Sequence, residues 1–128
     1  MAGYHTDIEK KTEENEYFRE VLFTGPHSQL VVMALKPGED IGLETHAGTD
    51  QFIRVESGKG QAILDGKEYK LEDGSAVVIP AGTEHNVINT SSTEALKLYT
   101  IYTPPEHPDG AIHKTKAEAE AYEREHHH

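Results

Sequence analysis

Between residues 17 and 103 apolar and polar side chains change places every second position, in short runs broken by turn residues. A period of two marks strands with one buried face. YFREVLFT (17–24) and SQLVVMAL (28–35) are rich in β-branched and aromatic residues, and Gly25-Pro26 separates them. DQFIRVES (50–57), GQAILD (60–65), KEYKL (67–71), SAVVIP (75–80), HNVINT (85–90) and ALKLYTIYT (95–103) follow. Asp65-Gly66 between two of them is a two-residue hairpin signature. Pro37-Gly38 and Gly58-Lys59-Gly60 punctuate the rest. Many short strands without interleaved helical periods predict an all-β sandwich or barrel.

The pattern changes at both ends. Residues 1–16 are polar and read as a solvated N-terminal segment. After Pro104-Pro105 comes EHPDGAIH, read as a surface loop. Thr115-Lys116-Ala117-Glu118 then has the form of a capping box, predicting a helix over 115–125 with a thin apolar stripe at Ala117, Ala121 and Tyr122. His126, His127 and His128 read as a tag remnant. The expected organisation is thus 1–16, a barrel at 17–103, a loop and helix at 104–125, and 126–128.

Composition narrows the chemistry. With no Cys, a disulfide framework and a thiolate metal site are both excluded. A net charge of -11 disfavours nucleic acid and anionic membrane surfaces as partners. No apolar run has the length of a membrane span, and the N-terminus lacks the apolar region of a signal peptide. A cytoplasmic location is expected.

Phase along the strands picks out polar residues that should face inward. Glu44 and His46 lie two apart and share a face if that stretch is a strand. Gln51 is in phase with Ile53 and Val55, while Arg54 and Glu56 point outward. Pro80-Ala81-Gly82 turns the chain and delivers His85, in phase with Val87 and Asn89. The Glu44 and His46 pair cannot sit in an interior without a partner, a metal ion would satisfy both, and Gln51 needs an explanation of the same kind. Leu96, Leu98, Thr100 and Tyr102 share a face opposite Lys97. His5 and His27 are expected to be exposed. His107 and His113 flank the Pro-Asp-Gly loop, for which ordinary surface is favoured over a cover folded across a barrel mouth that contributes to a substrate pocket.

The spacing resembles the two motifs of the cupin superfamily. Gly74, Pro80, Gly82, His85 and Asn89 match every fixed position of the second motif. Gly38, His46 and Gly58 match the first, but Glu44 stands where a His belongs and Gln51 where a Glu belongs. The resemblance implies a double-stranded β-helix (jelly-roll) barrel with a short C-terminal helix, and a homodimer. It also implies a divalent metal site built here from Glu44, His46, Gln51 and His85. Two imidazoles, a carboxylate and an amide oxygen suit Fe, Mn, Zn or Ni. Gln51 either ligates or hydrogen-bonds a metal-bound water. The other reading of the four residues is a metal-free polar cluster. No Arg or Lys cluster aimed at the mouth is visible in the pattern, which argues against a sugar-phosphate ligand. An isomerase, lyase or dioxygenase acting on a small oxygenated molecule fits the resemblance. A non-enzymatic ligand-binding module or a structural dimer is the alternative.

Overall fold

The computed structural model describes residues 2–126; the expected tag remnant lies outside them except for His126, whose backbone closes the last helix. Among the described residues nine strands run in chain order: β1 (Arg19–Thr24), β2 (Gln29–Leu35), β3 (Asp50–Ser57), β4 (Gly60–Leu64), β5 (Lys67–Leu71), β6 (Ala76–Ile79), β7 (His85–Asn89), β8 (Leu96–Thr103) and β9 (Ile112–His113). Helices α1 (Ile8–Glu14) and α2 (Lys116–His126) flank them. One sheet has the order β6-β3-β8-β2-β1-β9, the other β5-β4-β7, and every pairing is antiparallel. The result is an antiparallel β-barrel of the jelly-roll type with a short C-terminal helix.

The inward phase read from the sequence is the buried phase. Ile53, Val55, Leu96, Leu98 and Thr100 are fully buried, with Gln51, His85, Val87, Asn89 and Tyr102 nearly so. The hairpin at Asp65-Gly66 has both residues at positive φ, 48° and 82°, which a two-residue turn of mirror-image type requires. Gly58 is dictated by space as well as by its φ of 111°. A Cβ there would stand 2.6 Å from the Ala95 carbonyl oxygen and 2.9 Å from the Leu96 Cα. Asn89 serves the scaffold: its amide donates to the carbonyls of Leu35, Lys36 and Glu94, and its oxygen accepts from Ser91 N–H.

Several expectations need correcting. The polar N-terminal segment contains α1, capped by Asp7 accepting from Lys10 N–H. Its Thr12 is buried, and Lys97, on the outer face of β8, donates to the Asn15 carbonyl just beyond the helix. The helix therefore covers the outer face of the large sheet. Residues 40–46 are not a continuous strand; their backbone pairing with β7 is broken into isolated bridges at Asp40–Ile88 and Glu44–His85. The interruption sits at Gly42, at φ 113°, whose N–H is taken by the Asn86 side-chain oxygen. On α2, Ala117 is exposed and Ala119 is the buried contact, because the docked face follows the helical step Ala119, Tyr122, Glu123. One half of the capping box forms, Glu118 N–H to Thr115 Oγ1, while the Glu118 carboxylate accepts from Lys114 N–H.

Candidate functional site

The segment after β2 runs back along β7, and its bridge exchanges both backbone hydrogen bonds between Glu44 and His85, at 2.9 and 2.8 Å. Residues so paired present side chains to one face. His46, two residues on, follows them: its Nε2 lies 3.5 Å from Glu44 Oε2, and its ring centroid 5.3 Å from that of His85. Three of the four residues singled out from sequence therefore converge. Gln51 reaches the same interior from β3, opposite Tyr102, whose ring stands edge-on to His46 at 6.3 Å. The Gln51 amide nitrogen donates to Thr100 Oγ1 at 3.1 Å, and its buried Oε1 has no hydrogen-bond partner among the described residues.

Each imidazole has an oxygen at Nδ1. His46 Nδ1 is 3.1 Å from Glu106 Oε1, and His85 Nδ1 is 2.9 Å from the Thr83 carbonyl. Those contacts favour the Nδ1–H tautomer, which leaves a lone pair on Nε2 of both rings. Burial pushes the Glu44 carboxyl above the usual carboxylate range, against the pull of His46 and Arg19. A cation beside Glu44 would reverse that upward pressure.

Glu106 and His107 lie in the loop that was expected to be ordinary surface. Gln29, at the start of β2 and 1% exposed, holds that loop in place. Its Nε2 donates to Thr24 Oγ1 and to the His107 carbonyl, and its Oε1 accepts from the N–H groups of Glu106 and His107. The loop is thereby clamped over the barrel mouth, and Thr49 Oγ1 donates to the second oxygen of Glu106. The His107 ring stacks edge-on with Tyr102 at 5.0 Å, and burial with the nearby Arg19 charge pushes its pKa down to about 3. His113, in β9 against β1, is buried and also lowered, first by desolvation. The exposed His5 and His27 stay outside the site.

A second residue absent from the sequence reading is Arg19. It is 3% exposed, at the first position of β1, in phase with the buried Val21. That phase was the available signal, but an Arg at a strand start reads as a solvated edge. Here β9 and α2 cover it: Nη1 is 3.5 Å from His113 Nδ1 and 3.8 Å from Glu123 Oε1. Arg19, Glu44, His46, Glu106, His107 and Glu123 all line one cavity of about 990 Å³, which Leu43, Pro105 and Tyr122 also border. Small-molecule sites commonly run to roughly 300–1,000 Å³. Arg54, by contrast, stays on the outer face and pairs with Glu56 at 3.6 Å.

Comparison with known proteins names the architecture. The cupin-domain family model matches residues 31–102, which spans both sequence motifs. The chain belongs to the cupin family. YrkC of Bacillus subtilis is 50% identical over 123 residues, covering 91% of this chain and 66% of that protein. The chain thus spans just under two thirds of YrkC. The crystal structure of BH2720 from Bacillus halodurans superposes with a TM-score of 0.91 at 45% identity, covering 94% of this cupin and 95% of that chain. Quercetin 2,3-dioxygenase of Bacillus subtilis is 35% identical over 78 residues, 61% of this cupin but 23% of the enzyme. Many cupins bind metal ions, which sets the question for this donor set.

The residues fit a metal ion in kind and in spacing of the nearest pair. Two donors on a tetrahedral ion at bond lengths near 2.1 Å stand about 3.4 Å apart, close to the 3.5 Å between Glu44 Oε2 and His46 Nε2. The Gln51 oxygen adds a buried acceptor that no described residue engages. Among the described residues, however, no three imidazole or carboxylate groups stand ready-made around one point, so an ion could be held only after side-chain adjustment. No helix among them is long and apolar enough to cross a membrane.

Proposed function

We propose that this cupin holds one divalent metal ion with Glu44, His46 and His85, and acts on a small oxygenated molecule bound in the adjoining cavity. The observation that carries the reading is the treatment of the two imidazoles. Each is tied at Nδ1 to an oxygen, Glu106 Oε1 or the Thr83 carbonyl, as metal-binding histidines characteristically are. Gln51 Oε1 completes the set, as a ligand or as acceptor from a metal-bound water. Fe, Mn, Zn and Ni all suit two imidazoles, a carboxylate and an amide.

A bound ion supplies Lewis-acid polarisation of a carbonyl or hydroxyl oxygen, or a redox centre. The chain's own groups do the rest. Glu106, fixed by Gln29 and Thr49, orients the His46 ring. His107 stays neutral through the physiological range. The Tyr102 phenol, raised by burial, keeps its proton behind His46. Isomerase, lyase and dioxygenase chemistry are all compatible, and the likeness to quercetin 2,3-dioxygenase supports an oxidative reading. The chain is expected to work as a homodimer inside the cell.

A second reading has its own observation. His46 lies between two carboxylates, 3.5 Å from Glu44 and 3.1 Å from Glu106, an arrangement that also suits a metal-free polar cluster. On that reading the protein is a ligand-binding module. Elemental analysis separates the two, using chain shortened to residue 125 beside a Glu44→Ala, His46→Ala variant. Near-stoichiometric metal in the parent and loss in the variant is expected. Equal, near-zero metal in both removes the metal centre.

A further inference from the structure

We propose that the cavity beside Glu44 and His46 takes a small monoanionic carboxylate gripped by Arg19, for which the Glu123 carboxylate of α2 is the internal competitor. The proposal rests on the cavity being the functional site, as above, but not on a metal being held there.

A guanidinium as buried as Arg19 needs an anion with well-formed hydrogen bonds. What it has is poor. Among the described residues its Nε is buried without a hydrogen-bond partner, and Nη1 makes only the 3.5 Å contact to His113 and the 3.8 Å ion pair with Glu123. Neither is the short bidentate bond that guanidinium and carboxylate form when free to align. Glu123 itself is half exposed on a short terminal helix, so it can swing to solvent at little cost. The guanidinium meanwhile borders a cavity large enough for a small organic molecule.

The charge around the cavity selects the ligand's charge. Its wall carries four carboxylates, Glu44, Glu106, Glu120 and Glu123, against the two guanidiniums of Arg19 and Arg124. A phosphate dianion is repelled there, whereas one carboxylate charge can be matched by one planar fork. Leu43, 64% exposed on the rim, and Pro105 and Pro108 provide apolar surface for the body of an organic acid.

The test is calorimetric titration of the protein as purified with pyruvate and benzoate, with their neutral amides and inorganic phosphate as comparators. Parent, Arg19→Gln, Arg19→Lys and Glu123→Gln proteins are compared, and metal content is measured in each. Carboxylate affinity is expected to fall at least about tenfold in Arg19→Gln, the loss of one charge-assisted pair. Amide binding should not change. Arg19→Lys should be intermediate, and Glu123→Gln should bind the carboxylates more tightly. Undetectable carboxylate binding by the parent, unchanged affinity in Arg19→Gln, or phosphate binding tighter than either carboxylate overturns the proposal. Should Arg19→Gln fail to fold, unchanged affinities in both Arg19→Lys and Glu123→Gln overturn it as well. Near-zero metal in the parent with Arg19-dependent carboxylate binding intact would remove the metal centre and leave this proposal standing.

Discussion

Replacing Gln29 by Ala should release the loop that carries Glu106 and His107, and the cost can be worked from its contacts. The side chain makes four hydrogen bonds, of 2.9 Å to Thr24, 2.7 Å to the His107 carbonyl, and 3.2 and 2.9 Å from the N–H groups of Glu106 and His107. Each is worth about 1 kcal/mol net. The loop groups regain water when the loop lifts, so a loss of about 3 kcal/mol is expected rather than the larger penalty of trapped unpaired donors. At a urea m-value of about 1.5 kcal/mol/M, the unfolding midpoint falls by about 2 M. Hydrogen exchange read by NMR should show the Glu106 and His107 amides losing protection first, because their acceptor is gone. A midpoint shift under about 0.5 M with unchanged exchange at those two amides would refute the clamp. Loop release also frees the Glu106 carboxylate from His46, so metal affinity should fall in the same variant.

Other consequences follow from single contacts. Glu106→Gln keeps the shape but removes the charge on His46 Nδ1, and metal affinity measured by competition with a chromophoric chelator should drop about tenfold or more. Gly58→Ala drives a Cβ into the Ala95 carbonyl at positive φ and should cost at least about 3 kcal/mol in urea unfolding. His107 is buried neutral, with its pKa lowered to about 3, and His113 is lowered in the same sense. The unfolded chain therefore binds more protons, so stability is fully present above the unfolded value near 6.5. It is lost progressively as pH falls from there toward about 3. His107→Leu should flatten the stability profile between pH 6.5 and 4, and an unchanged slope would count against the burial argument. Size-exclusion chromatography with light scattering should return a dimer mass if the homodimer expectation holds.

What the sequence determined by itself is the barrel and the inward phase of its strands. Alternation is a local property, and a one-residue slip would expose the whole core, so Ile53, Val55, Leu96 and Leu98 could be placed without knowing their partners. The same phase made Gln51 and His85 inward, and the turn residues fixed the hairpin at Asp65-Gly66. The approach of Glu44 to His46 was legible from their separation of two, although Gly42 breaks the strand that the separation assumed. Only the tertiary structure decided what surrounds them. Glu106 meets His46 across 60 positions of sequence because Gln29, on another strand, holds the backbone of its loop. Arg19 is buried because β9 and α2, residues 112–126, fold back over a strand start that in isolation would be solvated. Short-range pattern reports which way a side chain faces. It carries no information on which distant polar group will meet it there, because that depends on how the loops and terminal elements close over the barrel mouth. The environment of the site, more than its four first-named residues, was therefore the part that folding had to supply.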